Sequence, residues 1–172
     1  KIDLFLMHSP HGPEIRKETW EAMQYLLKNK YVKAIGVSNF GIHHIKEILL
    51  WAEIGPCMNQ IELSPFLQRR GLSNFCKEEG IVTTAYSPLT HGIRIHDERL
   101  MEIGKIYRKS AAQILIKWSL QKDNVVIPKS TNKERIKENI EVFDFTIEQK
   151  HMEILDALEE GFATCWDPTI DP

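Results

Sequence analysis

The chain has 172 residues, 42% of them hydrophobic, and a formal net charge of −2 from 22 basic and 24 acidic residues mixed along its length. That balance argues against nucleic acid or an anionic membrane as a general partner, so any anion site must be local. Three widely spaced cysteines without a C-x-x-C pair argue against a disulfide framework and a zinc site and suit a reducing cytoplasmic setting.

Ile2 to Met7 is an apolar run of strand length, stopped by the turn formers Ser9, Pro10, Gly12 and Pro13, which leaves His8 at the strand's C-terminal end. From Glu14 to Asn29 the residues Ile15, Trp20, Met23, Leu26 and Leu27 fall on one helical face, with Arg16, Lys17, Glu18 and Glu21 on the other. Val32 to Val37 reads as a second strand, broken by Ser38-Asn39. Ile42, Ile45, Ile48, Leu49 and Ala52 form the stripe of a second helix. Cys57 to Leu63 predicts a third strand, then a short helix through Leu72, Phe75 and Cys76 ends near Gly80. Ile81 to Tyr86 gives a fourth strand, closed by Ser87-Pro88.

Two helical segments follow, one carrying Leu100, Ile103 and Ile106, the other opened by Ser110 with Gln113 three residues on, the pattern of a capping box. Val125 to Ile127 is β-branched throughout and bounded by Pro128, which predicts a buried fifth strand. Lys129, Ser130 and Thr131 then offer a cation and two hydroxyls where a helix over Arg135 to Ile140 begins, a local environment suited to phosphate. A last helix is predicted from a second capping box, Thr146 with Gln149, to Gly161. The tail Phe162 to Pro172 reads as irregular.

Five strands alternating with helices predict a parallel sheet of βα units. Strands apolar on both faces suit a sheet covered by helices or a closed barrel. Every strand's C-terminal end carries polar groups: His8; Ser38 and Asn39; Gln60 and Glu62; Tyr86 and Ser87; Lys129 and Ser130. In a (β/α)₈ barrel such a rim assembles one pocket. No G-x-G-x-x-G, complete P-loop or G-x-S-x-G is present. Metal spacing is poor: Pro10 separates His8 from His11, and the adjacent His43 and His44 should point about 100° apart on a helix. Each residue alone has a plainer reading. Tyr86 suits a core, Asn39 a helix N-cap, His8 a turn, and Arg135, Glu138 and Asn139 a solvated helix face.

Five stretches taken together resemble the successive motifs of the aldo-keto reductase family: Phe5-Leu6-Met7-His8-Ser9-Pro10, Ala34-Ile35-Gly36-Val37-Ser38-Asn39-Phe40, Asn59-Gln60-Ile61-Glu62, Ala85-Tyr86-Ser87-Pro88-Leu89 and Ile127-Pro128-Lys129-Ser130. The resemblance implies a TIM-type (β/α)₈ barrel binding NADPH at its C-terminal rim and reducing aldehydes or ketones to alcohols. It also implies residue roles. Ser38, Asn39 and Gln60 would hold the nicotinamide carboxamide, with Tyr86 stacked on its ring. Ser87 and Leu89 would lie along the pyrophosphate, Lys129, Ser130 and Arg135 would take the 2′-phosphate, and Glu138 and Asn139 would meet the adenine. His8 would orient the carbonyl. Trp166 in the tail is a candidate wall of the substrate pocket, and a tail tryptophan packed on the barrel is an equal reading.

The resemblance begins at the family's fourth strand. Residues 1–172 then form one domain, the C-terminal part of a barrel with about five of its eight βα units, and its tail, 162–172, lies near the substrate rim. The family's aspartate, tyrosine and lysine, which make the proton donor, have no matching positions. The expectation is a fragment or truncated form that is poorly active alone and self-associates through exposed strand edges. A non-catalytic, barrel-derived binding or regulatory module is the alternative the residues leave open.

Overall fold

The computed structural model describes residues 1–171; Pro172, the last residue of the expected irregular tail, lies outside them. Two compact units can be distinguished. The first comprises Lys1–Ile61, Arg70–Thr83 and the residues from Trp166 onward; the second comprises Glu62–Arg69 and Thr84–Cys165.

In the first unit β1 (Ile2–Met7) pairs in parallel with β2 (Val32–Ser38), Leu4 opposite Ala34 and Leu6 opposite Gly36. β2 pairs in parallel with β3 (Met58–Glu62), Val37 opposite Asn59 and Ser38 opposite Gln60. The crossovers are α1 (Pro13–Lys28) and α2 (Ile42–Trp51). Gly36 permits this spacing: a Cβ there would stand 2.7 Å from the Met58 carbonyl oxygen and 2.8 Å from Leu6 Cδ2. After α3 (Arg70–Glu78), the chain enters β4 (Val82–Tyr86), where the Val82 N–H donates to the Cys57 carbonyl at 3.0 Å.

Trp20 is wholly buried on α1, and its indole N–H donates to the Ile54 carbonyl at 3.0 Å, so the largest apolar side chain of the helix also satisfies its polar atom. The predicted face of α1 needs correction at its start, because Ile15 is exposed and Arg16 is buried. Arg16 turns inward because its Nε donates to the Pro10 carbonyl at 3.0 Å and its guanidinium pairs with Glu47, which gives a buried cation the partners it requires. Burial on both faces fits the end of β2, where Ile35 and Val37 on one face and Gly36 and Ser38 on the other are buried, but not β1, where Ile2 and Phe5 are exposed.

In the second unit Thr84 and Ala85 of β4 pair in parallel with Val125 and Val126, which form β5 (Val125–Val126). The strands therefore follow chain order, β1-β2-β3-β4-β5, as successive right-handed βα units do. β5 is shorter and more open than expected. Ile127 N–H still donates to the Ala85 carbonyl at 3.2 Å, but Val125 and Ile127 are exposed, since among the described residues β5 has a strand neighbour on one side only.

Helices α4 (Glu98–Tyr107), α5 (Ala111–Gln121) and α7 (Gln149–Asp156) build this unit's core around Leu100, Ile114, Leu115, Trp118 and Leu155; α6 (Lys133–Ile140) follows β5. The first capping box forms: Ser110 Oγ accepts from Gln113 N at 3.3 Å and Gln113 Oε1 from Ser110 N at 3.0 Å. The second does not. Glu148 is the N-cap of α7, so Gln149 starts the helix instead of standing three residues inside it. The preceding donors are taken by other side chains, Ile147 N by Gln121 Oε1 at 2.7 Å and Glu148 N by the Tyr107 hydroxyl at 2.8 Å.

Residues 167–170 are more regular than the expected irregular tail. Asp167 Oδ1 accepts from Thr169 N at 3.1 Å and starts a 3₁₀ turn, Pro168–Ile170, in the first unit. A Cβ on Gly41 would meet the Thr169 carbonyl oxygen at 2.0 Å, so the turn packs on the start of α2 at a distance only glycine allows. His43 and His44 do not diverge. Their ring centroids are 3.8 Å apart, and each Nε2 lies 2.8 Å from the Asp171 carbonyl oxygen.

His44 Nδ1 also accepts from the Gly41 N–H at 2.9 Å, so its proton sits on Nε2 and the ring must be neutral to serve both partners. Burial, then the neighbouring His43 and Arg16, hold its pKa below the ordinary imidazole value. A depressed folded-state value means that the unfolded chain binds the proton more readily. The contribution to stability is therefore complete above about pH 6.5 and is lost as pH falls toward the folded-state value. Chemical unfolding is expected to show lower stability at pH 5.5 than at pH 7.5, with a smaller difference in His44→Gln; an equal difference in both proteins would refute the assignment.

Candidate functional site

In the first unit the ends of three adjacent strands bring four predicted residues together. Ser38 Oγ donates to the Gln60 carbonyl at 2.8 Å, and the Asn39 N–H donates to the same oxygen at 2.9 Å. Asn39 Nδ2 donates to the His8 carbonyl at 3.0 Å. Asn39 is not the helix N-cap; Gly41 is, and Asn39 instead takes a left-handed conformation, φ 64°, which asparagine tolerates better than most residues. The loop after β2 is held by Asn59, wholly buried, whose Nδ2 donates to the Phe40 carbonyl at 2.8 Å. Trp166 also belongs to this unit, stacked on His11 with ring centroids 4.8 Å apart.

In the second unit a cleft of about 980 Å³ gathers Ser87, Leu89, Lys129, Ser130, Arg135, Glu138 and Asn139. All seven were predicted, from three separate stretches of sequence. His8, Ser38, Asn39, Gln60, Tyr86 and Trp166 are not among its lining residues. Local structure explains the grouping. Asn132 caps α6 by accepting from Arg135 N at 3.0 Å, and Ser130 Oγ accepts from Asn132 N at 3.1 Å, which fixes the corner between β5 and the helix. Residues 135, 138 and 139 then recur at helical spacing on one face. Asn139 is buried, while Lys129 and Arg135 are exposed at the cleft.

On the opposite wall the turn after β4 is tightly built, with Thr90 wholly buried and its N–H donating to the Ser87 carbonyl at 2.9 Å. Two imidazoles, His91 and His96, and the apolar Ile95 and Met101 also line the cleft. Sequence reasoning missed His91, Ile95 and His96 because they lie in an irregular turn, where no periodicity marks an inward face, and Met101 because it stands on α4 away from that helix's buried stripe of Leu100 and Ile103. Two fixed cations and one carboxylate, with hydroxyls and apolar walls, suit a phosphorylated ligand with an extended organic body. Among the described residues, no group of three or more His, Cys, Asp or Glu side chains could hold a metal ion.

Glu62 is also better defined than its place at a strand end suggested. It is buried, and its carboxylate accepts from Thr164 N at 2.8 Å, from the Thr164 hydroxyl and from Cys165 N at 3.2 Å. No helix is long and apolar enough to cross a membrane among the described residues.

The model of the aldo/keto reductase family matches residues 1–160. An uncharacterized oxidoreductase of Schizosaccharomyces pombe is 45% identical over 172 residues, covering 99% of this chain and 62% of the relative. Glyoxal reductase of Bacillus subtilis is 43% identical over 159 residues, covering 92% of this chain and 57% of that enzyme. Among solved structures, an aldo-keto reductase from a deep-sea metagenome library superposes with a TM-score of 0.95 at 36% identity, over 99% of this chain and 64% of its own. An aldo-keto reductase solved in complex with NADPH superposes with a TM-score of 0.89 at 31% identity, over 95% of this chain and 56% of its own. The chain thus spans between 56% and 64% of the length of these relatives.

Proposed function

The chain belongs to the aldo/keto reductase family, and from that premise we propose that it is the cofactor-binding part of an NADPH-dependent reductase of aldehydes or ketones. The observation that carries this reading is the cleft of the second unit, where seven residues chosen from motif order alone line one cavity. NADPH supplies the hydride. Lys129, Ser130 and Arg135 take the 2′-phosphate, where two cations give charge-assisted bonds and favour NADPH over NADH. Ser87 and Leu89 border the pyrophosphate, and Glu138 and Asn139 the adenine.

In the first unit, Ser38, Asn39 and Gln60 supply the donors and acceptor that a carboxamide requires. Tyr86 offers an aromatic face to one side of the nicotinamide ring, His8 orients the carbonyl, and Trp166 walls the substrate pocket. The proton donor expected of the family has no counterpart in these 172 residues, so by themselves they should bind cofactor and turn over little. Three unpaired cysteines favour a reducing, cytoplasmic setting.

Titration of the chain with NADPH, followed by tryptophan fluorescence, tests the reading. Because the exposed Ile2 and Phe5 of β1 favour self-association, it should be run at a concentration that sedimentation shows to be monomeric. Saturable quenching, with oxidation of NADPH by glyceraldehyde far below the roughly 1 s⁻¹ at the slow end of ordinary enzymes, is expected. Absence of binding would overturn the cofactor reading. Fast turnover that His8→Ala abolishes would overturn the low activity.

A further inference from the structure

We infer that Arg94 is a positioning residue for cofactor binding: paired with Glu160, it supports from outside the cleft the turn that forms one of the cleft's walls. The inference rests on the cofactor reading above and adds to it a residue pair that touches no part of the cofactor. Ser87, Leu89, His91, Gly92 and Ile95 line the cleft, whereas Arg94, which stands among them in sequence, does not. Its guanidinium packs over two aromatic rings instead, 5.3 Å from the Phe66 centroid and 4.5 Å from that of Phe162, and it is ion-paired with the Glu160 carboxylate.

The turn requires such support. Ser87, Thr90 and His91 take left-handed conformations, φ 46°, 50° and 51°, which a β-branched residue such as Thr90 adopts only under constraint. The Ile93 N–H donates to the Thr90 carbonyl at 2.9 Å and the Arg94 N–H to the Thr90 hydroxyl at 3.1 Å, so the backbone of Arg94 is fastened to the strained residue itself. Its side chain is fastened to the segment 160–162. There one oxygen, the Phe66 carbonyl, accepts from Glu160 N at 3.2 Å and from Phe162 N at 2.9 Å, which sets the carboxylate and the ring that receive the guanidinium. Phe66 is wholly buried, so the anchor is part of the packed core. Arg94 Nε is buried with no hydrogen-bond partner among the described residues, a cost that the two rings and Glu160 offset.

Arg94 and Glu160 carry opposite charges, which separates positioning from simple attraction. If the pair acted on the phosphates of NADPH only through its field, loss of the Glu160 carboxylate would tighten binding; as half of a support for the turn, its loss weakens binding. A shorter ligand separates positioning from general loosening. 2′-Phosphoadenosine 5′-phosphate carries the groups assigned to Lys129, Ser130, Arg135, Glu138 and Asn139 but ends at a single 5′-phosphate, without the rest of the diphosphate and the nicotinamide half. Dissociation constants of both ligands should be measured for the wild-type chain, Arg94→Met, Glu160→Gln and the double variant, with urea unfolding to check that each is folded. Each single variant is expected to weaken NADPH binding about fivefold, the most that a partly exposed ion pair transmits, and the double variant no further. The constant for 2′-phosphoadenosine 5′-phosphate should move by less than about twofold. Tighter NADPH binding in Glu160→Gln, equal losses for both ligands, additive losses in the double variant or an unchanged NADPH constant in both single variants each overturn the inference while the cofactor reading stands. A wild-type chain that binds neither ligand is instead the failure of the cofactor reading, and the inference falls with it. Should Arg94→Met not fold, Glu160→Gln carries the test, since Glu160 is exposed.

Discussion

Replacing both Lys129 and Arg135 by alanine is expected to weaken NADPH binding about a hundredfold, while NADH binding changes by less than about threefold. The asymmetry follows from chemistry. A phosphomonoester near neutral pH carries up to two negative charges and three acceptor oxygens, and two cations at the corner between β5 and α6 each contribute about 1.5 kcal/mol through a charge-assisted bond. NADH lacks that group, so it loses only long-range attraction, which salt screens over about 10 Å. Each single variant should cost about tenfold. Glu138 lines the same cleft and would repel a phosphate there, so the expected preference is a balance of three charges. Equal losses for NADH and NADPH would mean that the corner attracts anions generally. An unchanged NADPH constant would place the 2′-phosphate elsewhere.

Much of this corner was legible in the sequence because its logic is local. Pro128 ends a strand, and 135, 138 and 139 share a helical face, both decided within a dozen residues; the cap itself, Asn132, and the helix start at Lys133 lie just ahead of the expected Arg135. The capping box at Ser110 was legible for the same reason. Its counterpart at Thr146 does not form: Glu148 is the cap instead, and residues distant in sequence, Tyr107 and Gln121, hold the adjacent donors Glu148 N and Ile147 N, contacts that no local pattern reports. Arg16 was misread in the same way, since an arginine on a polar stripe looks solvated until Pro10 and Glu47 are seen to enclose it. His91 and the pairing of His43 with His44 on Asp171 depend on turns and tails whose course periodicity does not encode.

Glu62→Ala is expected to have the largest effect on folding of any single change at the strand ends. The carboxylate is buried, and it serves the Thr164 amide, the Thr164 hydroxyl and the Cys165 amide together. Hydrogen bonds to a charged group contribute about 1.5–3 kcal/mol each, and deleting the acceptor leaves polar donors without their partner. Some of that loss is recovered as Thr164 and Cys165 move toward water, so the net destabilisation should be about 3 kcal/mol. Glu62→Gln keeps one acceptor oxygen but turns an amide N–H₂ toward backbone donors, and it should lose about half as much. Urea unfolding of the three proteins would measure the order, and hydrogen exchange at Thr164 and Cys165 would show whether the damage begins there. The same segment carries the thiol beside His91, so loosening it should also disturb the wall of the cleft. A loss below about 0.5 kcal/mol in Glu62→Ala would mean that the segment is held by other contacts and that the carboxylate is replaceable.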